Sequence, residues 1–98
     1  MYAITITMRS QPGKEQELFE ASGRVIAPSR AEPGCLFFDV LQSLEDPREL
    51  VFYEAYARKE DFDAHLAQPH TRAWQAVAIP LVDRTTIRMP CHVSVESR

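Results

Sequence analysis

Apolar and polar residues alternate over residues 2–9, with Tyr2, Ile4, Ile6 and Met8 on one side and Ala3, Thr5, Thr7 and Arg9 on the other. Period two marks a strand, and Gln11-Pro12-Gly13 supplies the turn that ends it. From Lys14 the period lengthens: Leu18, Ser22, Val25, Ile26 and Ser29 fall on one helical stripe, while Glu15, Glu17, Glu20 and Arg24 face water. Pro28 should kink or tighten the last turn, and Glu32-Pro33-Gly34 stops the helix. Cys35 to Gln42 reads as a second strand, apolar almost throughout and interrupted only by Asp39. A charged hairpin loop over 43–49 leads to a third strand over 50–57. There Leu50, Phe52, Glu54 and Tyr56 alternate against Val51, Tyr53, Ala55 and Ala57. A short helix carries Phe62, His65 and Leu66 at i, i+3 and i+4. Pro69 breaks it, and a further helix puts His70, Trp74, Val77, Ala78 and Leu81 on one stripe. Residues 82–95 alternate weakly around Pro90 and read as a fourth strand or an extended tail.

The predicted order is β-α-β-β-α-β with the second helix split at Pro69. This is the ferredoxin-like α+β arrangement, in which helices cover one face of an antiparallel sheet. Residues 1–98 suffice for one domain, with 82–98 as fourth strand and C-terminal tail. A sheet covered on one side should alternate apolar-in and polar-out, yet strands two and three are apolar on both faces. Leu36, Phe38 and Val40 are matched by Cys35, Phe37 and Leu41. Each Phe or Leu left in water forgoes roughly 1.5–3 kcal/mol, so the open face calls for a cover. A second copy of the chain is the most economical one, which predicts a homodimer through the sheet face. The alternative is a monomer whose C-terminal segment folds back, but Arg88, Pro90, His92 and Ser94 make that segment a poor cover.

Charge narrows the partners. Eleven Lys and Arg against fourteen Asp and Glu give a formal charge of -3, without the basic face expected of a nucleic-acid or anionic-membrane binder. The amino terminus lacks the pattern of a signal peptide, and no apolar run approaches the roughly 20 residues of a membrane span. Cys35 and Cys91 have no C-x-x-C spacing. A reduced, cytoplasmic setting is expected.

Glu54, on an apolar strand face, should lose solvation and rise in pKa, which suits a general acid or base; a Glu paired with an Arg would explain it equally well. His65 lies on the inward stripe of its helix, as a core histidine or as a proton shuttle. His70 follows Pro69 as a helix-start residue. The His65–His70 spacing is not the i, i+4 of two metal ligands on one helix face, so no metal is expected, with or without Glu54 as a third ligand. Trp74 and Tyr53 are core aromatics by default, or walls of a pocket for a flat ligand.

Several short segments together resemble the antibiotic biosynthesis monooxygenase domain family, quinol-monooxygenase-like branch. They are residues 29–36, Phe38-Asp39-Val40, Tyr53-Glu54-Ala55-Tyr56, and His65-Leu66 followed by Pro69-His70 with Trp74. The resemblance runs over about residues 2–82. It implies a dimeric α+β barrel of ferredoxin-like protomers with a pocket between helices and sheet. It also implies oxidation of a small quinol or phenol by O2 without a cofactor. On this reading His65 or Glu54 is the base and the other orients it, Tyr53 and His70 hold substrate oxygens, and Trp74 with Phe52 stacks on the ring. The family's autoinducer-2-processing isomerases carry a histidine where Ile26 aligns, and its haem degraders need an Asn on the first strand; this chain has neither. Two other readings stay open: an isomerase of a small dicarbonyl using the same groups, and a non-catalytic dimer that binds a small ligand.

Overall fold

A computed structural model of the protein describes residues 1–91. The end of the expected fourth strand and the tail, 92–98, lie outside the described residues. The alternating segments form four strands: β1 (Tyr2–Ser10), β2 (Cys35–Gln42), β3 (Glu49–Tyr56) and β4 (Val82–Cys91). The segments of helical period form α1 (Glu15–Arg30), α2 (Lys59–Ala67) and α3 (Pro69–Ala78), and a single 3-10 turn (Ile79–Leu81) leads into β4. The sheet order is β2-β3-β1-β4, with all neighbours antiparallel. This is the ferredoxin-like α+β fold expected from the sequence. No helix among the described residues is long and apolar enough to cross a membrane.

Register decides what meets under the helices. Ile4 pairs with Glu54, Ile6 with Phe52 and Met8 with Leu50 across β1 and β3, while Phe38 pairs with Glu54 and Val40 with Phe52 across β2 and β3. The main core joins Met8, Leu50, Phe52 and Phe38 from the sheet to Leu18, Val25, Ala78 and Leu81 from the helices and the 3-10 turn. A second cluster, Ile4, Tyr56 and Phe62, closes the α2 end. Glu54 stands on β3 between Phe52 of one cluster and Tyr56 of the other.

One expectation about β2 is reversed. The sequence placed Leu36 beside Phe38 and Cys35 on the far face. The β2–β3 register shifts between Cys35 and Phe37, and one extra residue in a strand flips the parity of what precedes it. Cys35 therefore packs against the core and Leu36 is exposed. Burial pushes the Cys35 thiol up to about 11, so it is an un-ionised packing group at neutral pH rather than a nucleophile. Leu66 and Val77, both placed on inward stripes by their spacing, are also substantially exposed.

The far face of the sheet is apolar in part. Phe37, Leu41, Val51 and Tyr53 occupy it on β2 and β3, with Phe37 and Tyr53 packed edge to face at 4.8 Å. On β1 and β4 it carries Thr5, Thr7, Arg9, Thr86 and Arg88.

The turn from α1 to β2 is fixed from both sides. Arg30 at the end of α1 donates to the Phe38 carbonyl at 2.9 Å, and the Ala57 amide donates to the Gly34 carbonyl at 2.9 Å. Asp61, whose carboxylate accepts from the Arg58 amide at the start of α2, leaves no space beside Gly34: a Cβ there would overlap its side chain. Gly34→Ala is therefore expected to destabilise the fold by about 1–3 kcal/mol, the usual range for overpacking. Urea titration should show this, and an unchanged midpoint would mean that the turn is not clamped against α2.

Candidate active site

The helix layer covers β2, β3 and β1 but leaves β4 bare, with residues 83–90 exposed. Between sheet and helices lies a cavity of about 520 Å³. Its walls are mainly apolar: Ile4, Ile6 and Phe52 below, Phe62 and Trp74 above, Ile87 and Met89 toward the open side. Four titratable side chains also line it: Asp83 and Arg84, exposed on β4, and the buried Glu54 and His65, which are 3% and 5% exposed.

Each of the two buried groups is held by a different element. Glu54 projects from β3 because its parity matches Phe52. Its Oε1 accepts the hydroxyl proton of Tyr56, two residues on and on the same face, at 2.7 Å. Burial pushes the Glu54 carboxyl above the ordinary carboxylate range, and the Tyr56 hydroxyl and His65 only partly offset this. His65 comes from α2, with its ring against Phe38 (5.6 Å), Tyr56 (5.4 Å) and Phe62 (6.3 Å). Its Nε2 lies 3.8 Å from Glu54 Oε1. On the other side of the ring, Nδ1 is 2.8 Å from Glu32 Oε2, and the Thr71 hydroxyl is 3.4 Å from the same nitrogen.

Of the residues singled out from sequence, the structure brings four to this cavity: His65, Glu54, Phe52 and Trp74. Trp74 meets Phe52 edge to face at 5.2 Å, and its indole N–H donates to Ser22 Oγ at 3.1 Å, which pins α3 to α1. Two others, Tyr53 and His70, expected to hold substrate oxygens, are not among the residues that line this cavity. Tyr53 pairs with Asp39 and Thr5 and projects from the far face of the sheet, because strand parity sends it opposite to Glu54. His70 sits behind the cavity wall, with Nε2 2.6 Å from Glu32 Oε2. The sequence reading passed over Glu32, Tyr56 and Thr71 as site residues. For Tyr56 a signal existed, since i+2 on a strand shares a face; for Glu32, local pattern offered only a helix stop.

Glu32, His65 and His70 also form a set of ligand-type side chains whose donor atoms lie within 4.8 Å of one another. The carboxylate that meets both histidines is thus Glu32, not Glu54. Two histidines and a carboxylate are donors that a divalent ion accepts. The spacings of 2.6 and 2.8 Å are those of hydrogen bonds, shorter than the roughly 3.3 Å between ligand atoms of a tetrahedral site with bonds of about 2.0–2.1 Å.

Residues 1–77 match the family described as antibiotic biosynthesis monooxygenase, and the chain belongs to that family. A curated relative, "Putative monooxygenase Rv0793" of Mycobacterium tuberculosis, is 30% identical over 82 residues, which cover 84% of this chain and 80% of that protein. The uncharacterized protein sll1783 of Synechocystis is 27% identical over 63 residues, 64% of this chain. The match spans less than half, 43%, of the Synechocystis protein. Among solved structures, "Putative antibiotic biosynthesis monooxygenase from Nitrosomonas europaea" has a TM-score of 0.90 at 27% identity, covering 96% of this chain and all of that one. The structure of Rv0793 has a TM-score of 0.87 at 26% identity, covering 95% of each chain.

The raised pKa of Glu54 sets a stability signature. A carboxyl whose folded pKa exceeds its unfolded value stabilises the fold while protonated, and that contribution is lost as pH rises through the folded pKa. Glu54→Gln cannot ionise. Its stability relative to the wild type should therefore be nearly constant at about pH 4 and climb through the range above the ordinary carboxylate pKa. Urea midpoints for both proteins from about pH 4 to about pH 8 read the gap directly, and a gap that does not widen would contradict the burial argument.

Proposed function

We propose that the chain is a cofactor-independent monooxygenase that oxidises a small quinol or phenol with O2 in the cavity between sheet and helices. The observation that carries this reading is one apolar cavity faced by two buried titratable groups of different kind, His65 and Glu54. An aromatic hydroxyl seated there loses its proton to His65 Nε2. The anion is electron-rich enough to reduce O2, and the ring gains one oxygen atom. A phenol with a free para position plus O2 gives a quinone plus one water, and a hydroquinone with a free ring carbon plus O2 gives a hydroxyquinone plus one water, so the electrons balance without an external reductant in either case. Glu54 faces the same nitrogen and steadies the imidazolium as it forms, while Phe52 and Trp74 offer ring faces to a flat substrate. Water exclusion matters because it strengthens these charge interactions and protects the reactive intermediate. The family match supports a monooxygenase-like protein.

The same proposal includes a homodimer through the far face of the sheet. Leu41 is 55% exposed there, next to Phe37, Val51 and Tyr53, an apolar patch that pairing with a second copy would remove from water. Tyr53 then belongs to the interface. Cys35 and Cys91, both free thiols, fit a cytoplasmic setting.

Oxygen-electrode assays with one- and two-ring hydroquinones test the chemistry. His65→Ala is expected to slow oxygen uptake by about 10²–10⁴-fold, the usual loss for a positioned base, with Glu54→Gln also impaired. Wild-type rates in both variants would remove the assignment. Anaerobic isomerisation of a small dicarbonyl would instead favour proton transfer by the same pair. For the dimer, sedimentation equilibrium should give twice the chain mass for the wild type and the single-chain mass for Leu41→Lys/Val51→Lys. A monomeric wild type would end that part of the proposal.

A further inference from the structure

Glu32 lies outside the cavity wall, yet its Oε2 is within hydrogen-bond distance of both histidines, His65 Nδ1 at 2.8 Å and His70 Nε2 at 2.6 Å. A carboxylate has no proton to give and only accepts. Each ring must therefore present an N–H to it. For His65 this puts the proton on Nδ1. A neutral imidazole carries a single N–H, so Nε2 is then a bare lone pair, and Nε2 is the nitrogen that lies 3.8 Å from Glu54.

The opposite tautomer would reverse the chemistry. A histidine side chain free in water favours the proton on Nε2, which here would turn a donor toward the cavity where a base is needed. The Thr71 hydroxyl, 3.4 Å from Nδ1, cannot fix the choice, because a hydroxyl both donates and accepts. The selecting group is Glu32, whose oxygen is within hydrogen-bond distance of the ring at 2.8 Å, whereas Glu54 Oε1 stands 3.8 Å from Nε2; the Glu32 side chain is 8% exposed. The second N–H, from His70, reaches the same oxygen and keeps the carboxylate aimed.

We propose that Glu32 is a positioning residue that holds His65 as the Nδ1–H tautomer, so that Nε2 faces the cavity as the proton acceptor. The proposal rests on the reading of His65 as the cavity base. In the step it serves, the substrate O–H bond breaks, its electron pair stays on oxygen, and the proton bonds to the Nε2 lone pair. Glu32 takes up no proton. The imidazolium then has the Glu32 carboxylate behind it and the Glu54 carboxyl group in front, and the first of these is the arrangement seen where a buried carboxylate backs a catalytic histidine.

Long-range ¹H–¹⁵N NMR of the ¹⁵N-labelled protein at neutral pH reports which ring nitrogens carry protons and needs no substrate. The expected wild-type result for His65 is a protonated Nδ1 and a bare Nε2. Glu32→Gln, whose amide can donate as well as accept, should populate the Nε2–H form. In the same variant kcat for hydroquinone oxidation should fall by about 10²–10⁴-fold with little change in KM, because Glu32 does not touch the substrate. A wild-type His65 protonated on Nε2 overturns the proposal, and that measurement stands even if the variant fails to fold. A folded Glu32→Gln with an unchanged tautomer overturns it equally. If the tautomers behave as expected and no hydroquinone is consumed, the role of Glu32 as the tautomer-selecting residue is upheld and the substrate reading fails.

Discussion

The oxygen that Glu32 turns toward His65 and His70 ties together the turn after α1 and both helices of the cavity roof. A carboxylate taken out of water is costly unless charge-assisted hydrogen bonds replace its hydration. Here two ring N–H groups do so, and the requirement propagates. The turn must approach α2 closely, hence Gly34 against Asp61. His65 must show its other nitrogen to the cavity, and α3 must start at an angle that returns His70 to the same oxygen.

Two buried carboxylates flank His65, and their surroundings differ. Glu32 Oε2 is met by two histidine nitrogens. Glu54 has the Tyr56 hydroxyl at 2.7 Å and otherwise faces the apolar cavity, so burial drives it toward the neutral form. Carboxylates held in unlike environments are a common route to dividing acid and base work in one site. An entering hydroxyl group finds a lone pair on one side and a carboxyl that can hold or release a proton on the other.

Much of this was legible in the chain. Periodicity gave all the main elements, and Glu54 and His65 stood out because each interrupts an otherwise apolar stripe. What was missed has specific causes. The shift of register between Cys35 and Phe37 falls inside a strand that itself holds no Gly or Pro, and the Pro33-Gly34 just before it reads as a helix stop, so alternation alone puts Cys35 and Leu36 on the wrong faces. Tyr53 was placed with Glu54 because the two are contiguous in a motif, although the alternation along β3 already sends neighbours to opposite faces. Local pattern gives Glu32 only a role in ending α1. Its partner His65 is 33 residues away, a distance over which local pattern carries no information.

Pro69 shows how a backbone signal becomes a chemical one. On an unbroken helix of 3.6 residues per turn, His65 and His70 would point about 140° apart, and their nitrogens could not converge on one oxygen. The proline ring disfavours helical geometry at the residue before it, and Gln68 is extended, with φ -67° and ψ 143°. Pro69 itself opens α3 without cost, because its missing N–H falls where a helix has no internal acceptor to offer. The chain therefore restarts in a new direction after one residue. His65 keeps its place under the roof, His70 swings back to Glu32, and one turn later Trp74 reaches the cavity and Ser22. The broken H-x4-H spacing that argued against two ligands on one helix face is thus the feature that lets two histidines share one carboxylate.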